Sequence, residues 1–289
     1  FLMTDTSDYE VAYKINPWMT PEEWGRDAAG NRRRAREASR NLAAALKEAG
    51  AAAVTMESAP GLPDMVFPAN GAVVFDGIAM VARFRHPERQ GEERHFFRKF
   101  RELRELGLVA EVSQFPKGCF QEGAGDCIWD ATRQLFWAGF GPRSSQAAID
   151  AIEETFGVTA VRLELTTGRF YHLDTCFIPL SGGEVLYYPP AFSEAALRAI
   201  RDRVPPEMRI EAREDDASRF AVNAVSIGRR LIMAEPPARL TAELTERGYL
   251  PVPLDLSPFL MSGGGAYCMT LRLDLGRSFD RKLDAKTTP

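Results

Sequence analysis

One cysteine directly follows a run of glycines near the end of the chain, in the stretch GGGAYCMTLRL at residues 263–273. From this stretch alone, Cys268 is either a packed thiol at the edge of an apolar core or a nucleophile held on a flexible backbone. A cysteine attacks as its thiolate, so a nucleophilic role requires a nearby base or cation that lowers the thiol pKa. In that case the glycines would form a mobile gate where the backbone can approach a ligand.

The base that could deprotonate such a thiol is His172, in the stretch YHLDT. The other two histidines, His86 and His95, lie in a charged segment and are expected to be solvated. An imidazole could lower the thiol pKa and later activate water, while a carboxylate orients the ring. Asp174 lies two residues after His172, so both side chains would face one side of a strand. The remaining acidic residues suit a planar cation that donates several hydrogen bonds, and a guanidinium fits that description.

The elements that would position these residues form a repeat. Strand-turn-strand segments begin near residues 63, 125, 173, 223 and 267. In the first four, turn residues separate two apolar runs, and a helix-like segment and a short strand follow. Residues 1–58 supply a strand, a long helix and a strand, so the two ends of the chain would share the fifth unit. The pattern predicts an α/β fold of five ββαβ units closed in a ring, with an open mixed α+β domain as the alternative.

Polar residues recur at the entrance to the first strand of successive units. They are Asp64 and Asn70, Glu122 and Asp126, His172 and Asp174, Asn223, and Cys268. In a closed ring these entrances converge near the axis, so a cysteine, a histidine and several carboxylates would share one pocket. Taken alone, EGAGD is compatible with a plain turn and His172 with a structural histidine. Their occurrence at equivalent places favours function, whereas the other cysteines lack this placement and are expected to pack in the core.

Composition restricts the class of protein. The 289 residues include 45% apolar residues and carry a formal net charge of −4, with acidic and basic residues interspersed. We therefore expect no nucleic-acid partner, and no apolar run approaches the roughly 18–20 residues that span a membrane. The four cysteines fit neither a CxxC zinc site nor a secreted disulfide framework, and the first residues lack the basic region of a signal peptide. These features predict a cytoplasmic protein with reduced thiols, a small-molecule substrate and an undetermined oligomeric state.

Several motifs, found in family order along essentially the whole chain, resemble the guanidino-group-modifying superfamily, also called the pentein or amidinotransferase superfamily. They are INPWM, LPDMVFPAN, RHPERQGEE, EGAGD, GPRSS, RFYHLDTCF and GGGAYCMTLRL. The resemblance implies a five-bladed α/β propeller with ββαβ units around a pseudo-five-fold axis, in agreement with the repeat. Within the superfamily the chain is most similar to the catalytic domain of arginine dihydrolases, which convert arginine to ornithine, ammonia and carbon dioxide.

The resemblance also implies roles for the motif residues. Cys268 would be the nucleophile, His172 the general acid and base, and Glu122 the carboxylate that orients His172. Asp174 would hold the guanidinium, and no metal or organic cofactor would be needed. The remaining assignments are Asn16, Arg89 and Arg143 for the amino-acid end of the substrate, and Asp64 and Asp126 for lining or supporting the pocket. From the residues themselves, RHPERQGEE is the candidate lid, because it is charged, contains a glycine and carries Arg89.

Within the superfamily, the residue type at position 70 distinguishes the arginine deiminases and dimethylarginine hydrolases from the dihydrolases. Arginine deiminases and dimethylarginine hydrolases carry aspartate at the end of the VFxxx stretch, whereas VFPAN ends in Asn70, as in the dihydrolases and succinylarginine dihydrolase. An amide both donates and accepts hydrogen bonds, so it could retain a neutral ureido product for a second attack. Pro68 replaces the usual threonine and stiffens the backbone before Asn70. We therefore expect two hydrolyses at one site.

Three alternatives remain open from the sequence. One is a single hydrolysis by an arginine deiminase or dimethylarginine hydrolase, the second is an amidinotransferase, and the third is a catalytically inactive binding module. Longer cyanobacterial dihydrolases carry a C-terminal domain related to ornithine cyclodeamination. We expect residues 1–289 to form a single catalytic domain without that second activity.

Overall fold

The computed structural model describes residues 1–277, and the predicted domain of residues 1–289 extends beyond them. The strands are β1 (Leu2–Thr4), β2 (Val54–Met56), β3 (Ala72–Phe75), β4 (Ile78–Val81), β5 (Glu111–Gln114), β6 (Cys127–Asp130), β7 (Leu135–Phe140), β8 (Ala160–Glu164), β9 (Phe177–Pro179), β10 (Val185–Tyr187), β11 (Arg209–Glu211), β12 (Val225–Ile227), β13 (Arg230–Ala234) and β14 (Leu250–Leu254). The helices are α1 (Pro21–Arg26), α2 (Ala28–Glu48), α3 (Pro87–Gln90), α4 (Glu93–Glu105), α5 (Ala147–Phe156), α6 (Glu194–Arg203), α7 (Glu214–Ser218), α8 (Ala238–Glu246) and α9 (Ser257–Leu260).

Four units share one sheet topology. An antiparallel hairpin is extended by a third strand that runs parallel to the second strand of the hairpin; the sheets are β3-β4-β5, β6-β7-β8, β9-β10-β11 and β12-β13-β14. In these units α4, α5, α6 and α8 lie between the second and third strands, because a parallel pair requires a crossover connection. The predicted ββαβ order is therefore confirmed.

The fifth unit joins the two ends of the described chain. β1 pairs with β2 in parallel, with Leu2 opposite Val54, and α2 forms the crossover. On its other side, Leu2 exchanges two backbone hydrogen bonds with Leu271, at 2.7 and 2.9 Å. The first and last parts of the sequence thus share one unit, as the repeat predicted.

The strand predicted from Tyr267 is wrong. Residues around Cys268 form a turn, and Leu271 contributes an isolated bridge. The physical reason is that the backbone N–H groups of Tyr267 and Cys268 both donate to the side-chain oxygen of Asn223. Those N–H groups are therefore not available to a strand ladder, and the turn places the cysteine against the fourth unit.

The polar entrance residues also lie in turns. Asn70 ends a short 3₁₀ helix, Pro68–Asn70, and Asp174 lies within another, Leu173–Thr175, which His172 precedes. The expectation that His172 and Asp174 share one face of a strand is therefore wrong, since the strand begins only at Phe177. The 3₁₀ turns of neighbouring units nevertheless contact one another, which brings their side chains together.

The helices cover the outside of the sheets with one apolar face each. In α5, Ile149, Ile152 and Phe156 recur at three- and four-residue spacing, and all are buried. The ring of Phe156 packs against that of Phe136 with centroids 5.6 Å apart, and Gly157 ends the helix in the left-handed conformation. Each such buried apolar side chain contributes about 1.5–3 kcal/mol to folding. Within residues 1–277, no helix has the length and apolar character that crossing a membrane would require.

Candidate active site

Cys268 lies in a buried turn at the centre of the converging entrances, and its side chain contacts polar groups from two other units. Its thiol donates a hydrogen bond to the Asp174 carboxyl at 3.1 Å, and the Asn223 amide donates to the sulfur at 3.1 Å. Burial, and then the neighbouring Asp174 carboxyl, raise the pKa of the Cys268 thiol well above its usual range. The cysteine is therefore a neutral thiol in this state. His172, expected to lower that pKa, is not among the hydrogen-bond partners found for this sulfur in the described chain.

The glycines before Cys268 are required by close packing, and their expected role as a mobile gate stays a prediction. Gly263 has a φ of +82°, and its carbonyl accepts a hydrogen bond from the Tyr171 hydroxyl at 2.5 Å. A Cβ on Gly264 would lie 2.2 Å from the ring of Phe67. A Cβ on Gly265 would lie 2.8 Å from the Asn223 side-chain oxygen. Each glycine therefore lets a different neighbour approach the backbone of the cysteine turn.

Replacing Gly264 by alanine should lower the free energy of unfolding by about 1–3 kcal/mol, because the added methyl group overlaps the buried ring of Phe67. Urea unfolding provides the measurement. Gly25→Ala is the matched control, since outside the backbone of its own helix and the adjoining residues nothing lies within 4 Å of the Cβ position at Gly25. Equal stability of the two variants would contradict the packing explanation.

His172 is held by a buried carboxylate. Its Nε2–H donates to Glu122 Oε2 at 2.7 Å, and Arg143 donates to the same oxygen at 2.9 Å. Burial alone would raise the pKa of Glu122, but Arg143 and then His172 outweigh it and hold that pKa well below its usual value. Burial also lowers the pKa of His172 to about 4, although Glu122 opposes the shift. At neutral pH the imidazole is therefore uncharged, with the lone pair of Nδ1 available as a base.

Asn70 lies beside that basic nitrogen. Arg89 donates to its side-chain oxygen at 2.9 Å, which directs the amide nitrogen toward His172 Nδ1, 3.4 Å away. The glycines of EGAGD allow this contact: a Cβ on Gly125 would lie 2.3 Å from the Asn70 amide nitrogen, and one on Gly123 would lie 2.6 Å from the Asn70 backbone. The turn of the second unit is thus shaped around the asparagine of the first.

Arg89 is a buried ion-pair residue. Its guanidinium makes two hydrogen bonds to Glu92, at 2.8 and 2.9 Å, and Nε lies 3.9 Å from Asp64 Oδ2. The segment predicted as a lid, RHPERQGEE, is helical over Pro87–Gln90, and buried Arg89 and Glu92 anchor it. In this structure the guanidinium groups of both Arg89 and Arg143 face protein carboxylates. Their role toward a substrate carboxylate stays a prediction.

Asp126 and Asn16 support the turns around the site. Asp126 accepts hydrogen bonds from the backbone N–H of Leu173, at 2.9 Å, and from the Ser144 hydroxyl, at 2.6 Å. It thereby fixes the residue that follows His172. Asn16 donates to the carbonyl of Ser262 at 3.0 Å, which ties the INPWM segment to the glycine turn.

One carboxyl oxygen of Asp174, Oδ2, accepts the hydrogen bond from the Cys268 thiol. The other, Oδ1, has no hydrogen-bond partner among the described residues. Burial raises the pKa of Asp174 to about 7. A buried carboxyl oxygen without a partner is costly, and a donor from a ligand would remove that cost. Because the unpartnered oxygen belongs to the carboxyl group that contacts the sulfur, a cationic donor bound there would lie beside the nucleophile.

Buried acidic side chains outnumber buried cationic ones in this region. The carboxyl groups belong to Asp64, Glu92, Glu122, Asp126 and Asp174, and the guanidinium groups to Arg89 and Arg143. Burial favours a raised pKa in all these carboxyl groups, and the pKa is raised in each of them except Glu122, where Arg143 and then His172 outweigh burial. A cation placed among them would favour their ionised forms. The charge balance therefore favours a cationic ligand, in agreement with the expected guanidinium.

The structure adds three residues to those assigned from the sequence. Asn223 holds the cysteine turn, Tyr171 contacts the glycine carbonyl and stacks under Arg143 at 4.6 Å, and Glu92 neutralises Arg89. The sequence placed Asn223 at the entrance of the fourth unit but gave it no role. Tyr171 and Glu92 gave no comparable signal.

Comparisons with known proteins agree with this geometry. A family model described as eukaryotic N,N dimethylarginine dimethylhydrolase matches residues 14–275. The bifunctional arginine dihydrolase/ornithine cyclodeaminase ArgZ of Synechocystis sp. is 41% identical over 94% of this chain, which spans 37% of the length of that relative. The N(G),N(G)-dimethylarginine dimethylaminohydrolase of Mycobacterium tuberculosis is 35% identical, over 94% of this chain and 85% of that protein.

A solved structure of the N-terminal domain of ArgZ, a cysteine-to-serine mutant bound to substrate, matches this chain with a TM-score of 0.87 and 39% identity. The match covers 96% of this chain and 98% of that domain. The named relatives act on arginine or dimethylarginine. Since the family model matches most of the sequence and these relatives align along nearly all of it, the chain belongs to the N,N-dimethylarginine dimethylhydrolase family, guanidino-modifying hydrolases with the pentein fold.

Proposed function

We propose that the protein is an arginine dihydrolase, which converts arginine to ornithine, ammonia and carbon dioxide through covalent intermediates on Cys268. The observation that carries the proposal is the neutral amide of Asn70 between Arg89 and His172, at a position where single-step relatives are expected to carry a carboxylate. The 41% identity to a bifunctional arginine dihydrolase supports it. The competing proposal is a single hydrolysis that releases citrulline, which the family model and the mycobacterial relative favour.

Substrate binding would activate the nucleophile. The guanidinium of arginine would donate to the unpartnered oxygen of Asp174 and lie over the sulfur of Cys268. A cation in this position lowers the pKa of a neighbouring thiol, so the thiolate would form mainly when the substrate is present. Asn16, Arg89 and Arg143 would hold the amino-acid end of the substrate, while Asp64 and Asp126 would support the pocket.

The first hydrolysis would proceed through a thiouronium. The sulfur of Cys268 attacks the guanidinium carbon, and the proton lost by the thiol passes through His172 to the leaving nitrogen, which departs as ammonia. His172 then removes a proton from water, and the water attacks the same carbon. The carbon–sulfur bond breaks, the thiol recovers its proton, and citrulline remains in the site.

The second hydrolysis would repeat the attack on the ureido carbon of citrulline. A second ammonia leaves, again with a proton delivered by His172, and an S-carbamoyl intermediate stays on Cys268. Water then releases a carbamate, which breaks down to ornithine and carbon dioxide. Asn70 would favour this second round, because its amide group satisfies a neutral ureido group without the preference for a cation that a second carboxylate would impose.

Product analysis by mass spectrometry tests the proposal. The purified chain would be incubated separately with arginine, citrulline and methylated arginines. Ornithine from both arginine and citrulline is the expected result. Accumulation of citrulline from arginine, without ornithine, would establish single-step hydrolysis, and release of methylamines from methylated arginines would identify a dimethylarginine hydrolase.

Asn70→Asp should raise the ratio of citrulline to ornithine by about tenfold or more, which corresponds to about 1.4 kcal/mol. The added carboxylate near Asp174 favours the cationic substrate over neutral citrulline, so the first product escapes. Asn31→Asp is the matched control, because Asn31 is a buried asparagine in α2 whose amide bonds to Trp24. An unchanged product ratio in the Asn70 variant would remove Asn70 as the determinant.

A further inference from the structure

Asn223 is fully buried, and every polar atom of its side-chain amide makes contact at the nucleophile. Its oxygen accepts the backbone N–H groups of Tyr267 and Cys268, at 3.0 and 3.2 Å. Its nitrogen donates to the sulfur of Cys268 at 3.1 Å and to the backbone carbonyl of Asp174 at 3.0 Å. One side chain from the fourth unit thus joins the turns of the third and fifth units at the reacting atom.

The oxygen of this amide determines where the cysteine points. Two consecutive backbone N–H groups that share one acceptor fix the turn around Cys268, and they replace the strand pairing that the sequence suggested. Gly265 is required for the same approach, since a Cβ there would lie 2.8 Å from the Asn223 oxygen. By accepting the backbone N–H groups of Tyr267 and Cys268, the amide oxygen fixes the backbone of the turn and so orients the Cys268 side chain.

The nitrogen of the amide has an electrostatic effect. The two hydrogen-bond partners of the sulfur have opposite effects on charge: the Asp174 carboxyl repels a thiolate, whereas an N–H donor stabilises it. Hydrogen bonds to a charged acceptor are roughly twice as strong as those between neutral groups. The Asn223 N–H group therefore favours the ionised sulfur over the neutral thiol.

We propose that Asn223 is a catalytic residue of this enzyme, which aims the sulfur of Cys268 and stabilises the thiolate from which attack begins. The proposal rests on the proposed role of Cys268 as nucleophile. It applies equally to one or two hydrolyses, because each begins with the same thiolate.

Asn223→Asp separates the two contributions of the amide. The aspartate keeps an oxygen for the two backbone N–H groups but presents an acceptor in place of the donor to the sulfur. We expect kcat with arginine to fall by about 100-fold or more, the cost of removing one preorganised donor, while KM changes by less than about threefold. Asn31→Asp, at a buried asparagine in α2 whose amide bonds to the Trp24 carbonyl, should keep the wild-type kcat. A wild-type kcat in the Asn223 variant would overturn the proposal.

Alkylation of Cys268 by iodoacetamide, followed by peptide mass spectrometry across a range of pH, needs no substrate turnover. Loss of the donor should slow labelling of Cys268 by about tenfold at each pH below the pKa of the thiol, since the thiolate fraction falls there. A merely loosened structure would instead accelerate labelling of Cys268 together with that of buried Cys176. Unchanged or faster labelling of Cys268 would overturn the proposal.

Asn223→Ser provides a second variant if the aspartate prevents folding, because it adds no charge and its hydroxyl is too short to make the same contacts. The same slower labelling of Cys268 is expected, and wild-type labelling would contradict the role of Asn223. Failure of the underlying function is recognised separately: full turnover in Cys268→Ser would reject the nucleophile, whatever the labelling of the Asn223 variants shows.

Discussion

Cys268→Ser is expected to reduce turnover of arginine by about 10⁴-fold or more, with substrate affinity close to that of the wild type. A serine hydroxyl is a far weaker nucleophile than a thiol, and the site offers it a carboxyl contact at Asp174 rather than a base. Binding should survive because the hydroxyl can still donate to Asp174, and the guanidinium contacts lie elsewhere on that carboxyl group. Ammonia release measures turnover, and isothermal titration calorimetry measures the dissociation constant.

Cys127→Ser is the matched control for this variant. Cys127 is a buried cysteine at the start of β6, and the Cys127→Ser variant should retain the wild-type kcat. Wild-type turnover in Cys268→Ser would show that Cys268 is a packing residue, the alternative left open by the sequence. Loss of binding together with turnover would instead indicate that the variant disturbs the site as a whole.

The units of the fold were predictable because their signals are local. Hairpin turns separate the strand pairs, and the apolar spacing of α5 and the glycine that ends it can be read within one short segment. Closure of the ring was predictable for a different reason. The first strand of the chain has no antiparallel partner of its own within residues 1–58, and the repeat count leaves the segment near Leu271 to supply one.

The segments at the entrance to each unit were predicted less well, because their backbone conformation depends on contacts between units. Nothing within YCMTLRLDL indicates that the N–H groups of Tyr267 and Cys268 bond to Asn223, so an apolar alternating stretch was interpreted as a strand. The same limitation applies to charge. The sequence shows that Arg89 and Glu92 are three residues apart, but not that both are buried or that Arg89 also donates to Asn70.

The glycines illustrate the same difference between local and tertiary causes. A run of three glycines suggests flexibility when it is considered alone. The structure gives a tertiary explanation, in which Phe67 and Asn223 occupy the space that side chains at Gly264 and Gly265 would need. A sequence pattern can therefore locate a functional turn while leaving undetermined whether mobility or close approach requires the glycines.

Glu122→Gln should lower kcat by about 10³–10⁴-fold, because the carboxylate fixes the tautomer of His172. Glu122 accepts the Nε2–H of the imidazole, which leaves Nδ1 as the base beside the Asn70 amide nitrogen. A glutamine amide at position 122 can donate to Nε2, and the imidazole would then carry its proton on Nδ1. That N–H would face the amide N–H of Asn70, which is also a donor. Exchange of an orienting carboxylate for an amide has a cost of this order in histidine-based catalysis. Steady-state kinetics with arginine provide the measurement.

The same variant should lose about 3–5 kcal/mol of stability at neutral pH, since Arg143 would be left as a buried charge without its partner carboxylate. The pKa of Glu122 lies below its ordinary value of 4.5, so the ionised carboxylate stabilises the folded state above pH 4.5. That stabilisation is lost as the pH falls through the lowered pKa. The stability difference between wild type and variant should therefore be largest above pH 4.5 and shrink in acid.

Asp130→Asn separates the catalytic effect from the structural one. Asp130 is a buried carboxylate that pairs with Arg133 at 2.8 Å and accepts from the Trp137 ring at 2.9 Å, in the hairpin of the same unit as Glu122. Its loss should lower the unfolding free energy while kcat stays near the wild-type value, because Asp130 does not contact His172. If Glu122→Gln and Asp130→Asn reduced kcat equally, the effect at Glu122 would come from stability alone, and its role in orienting the imidazole would be rejected.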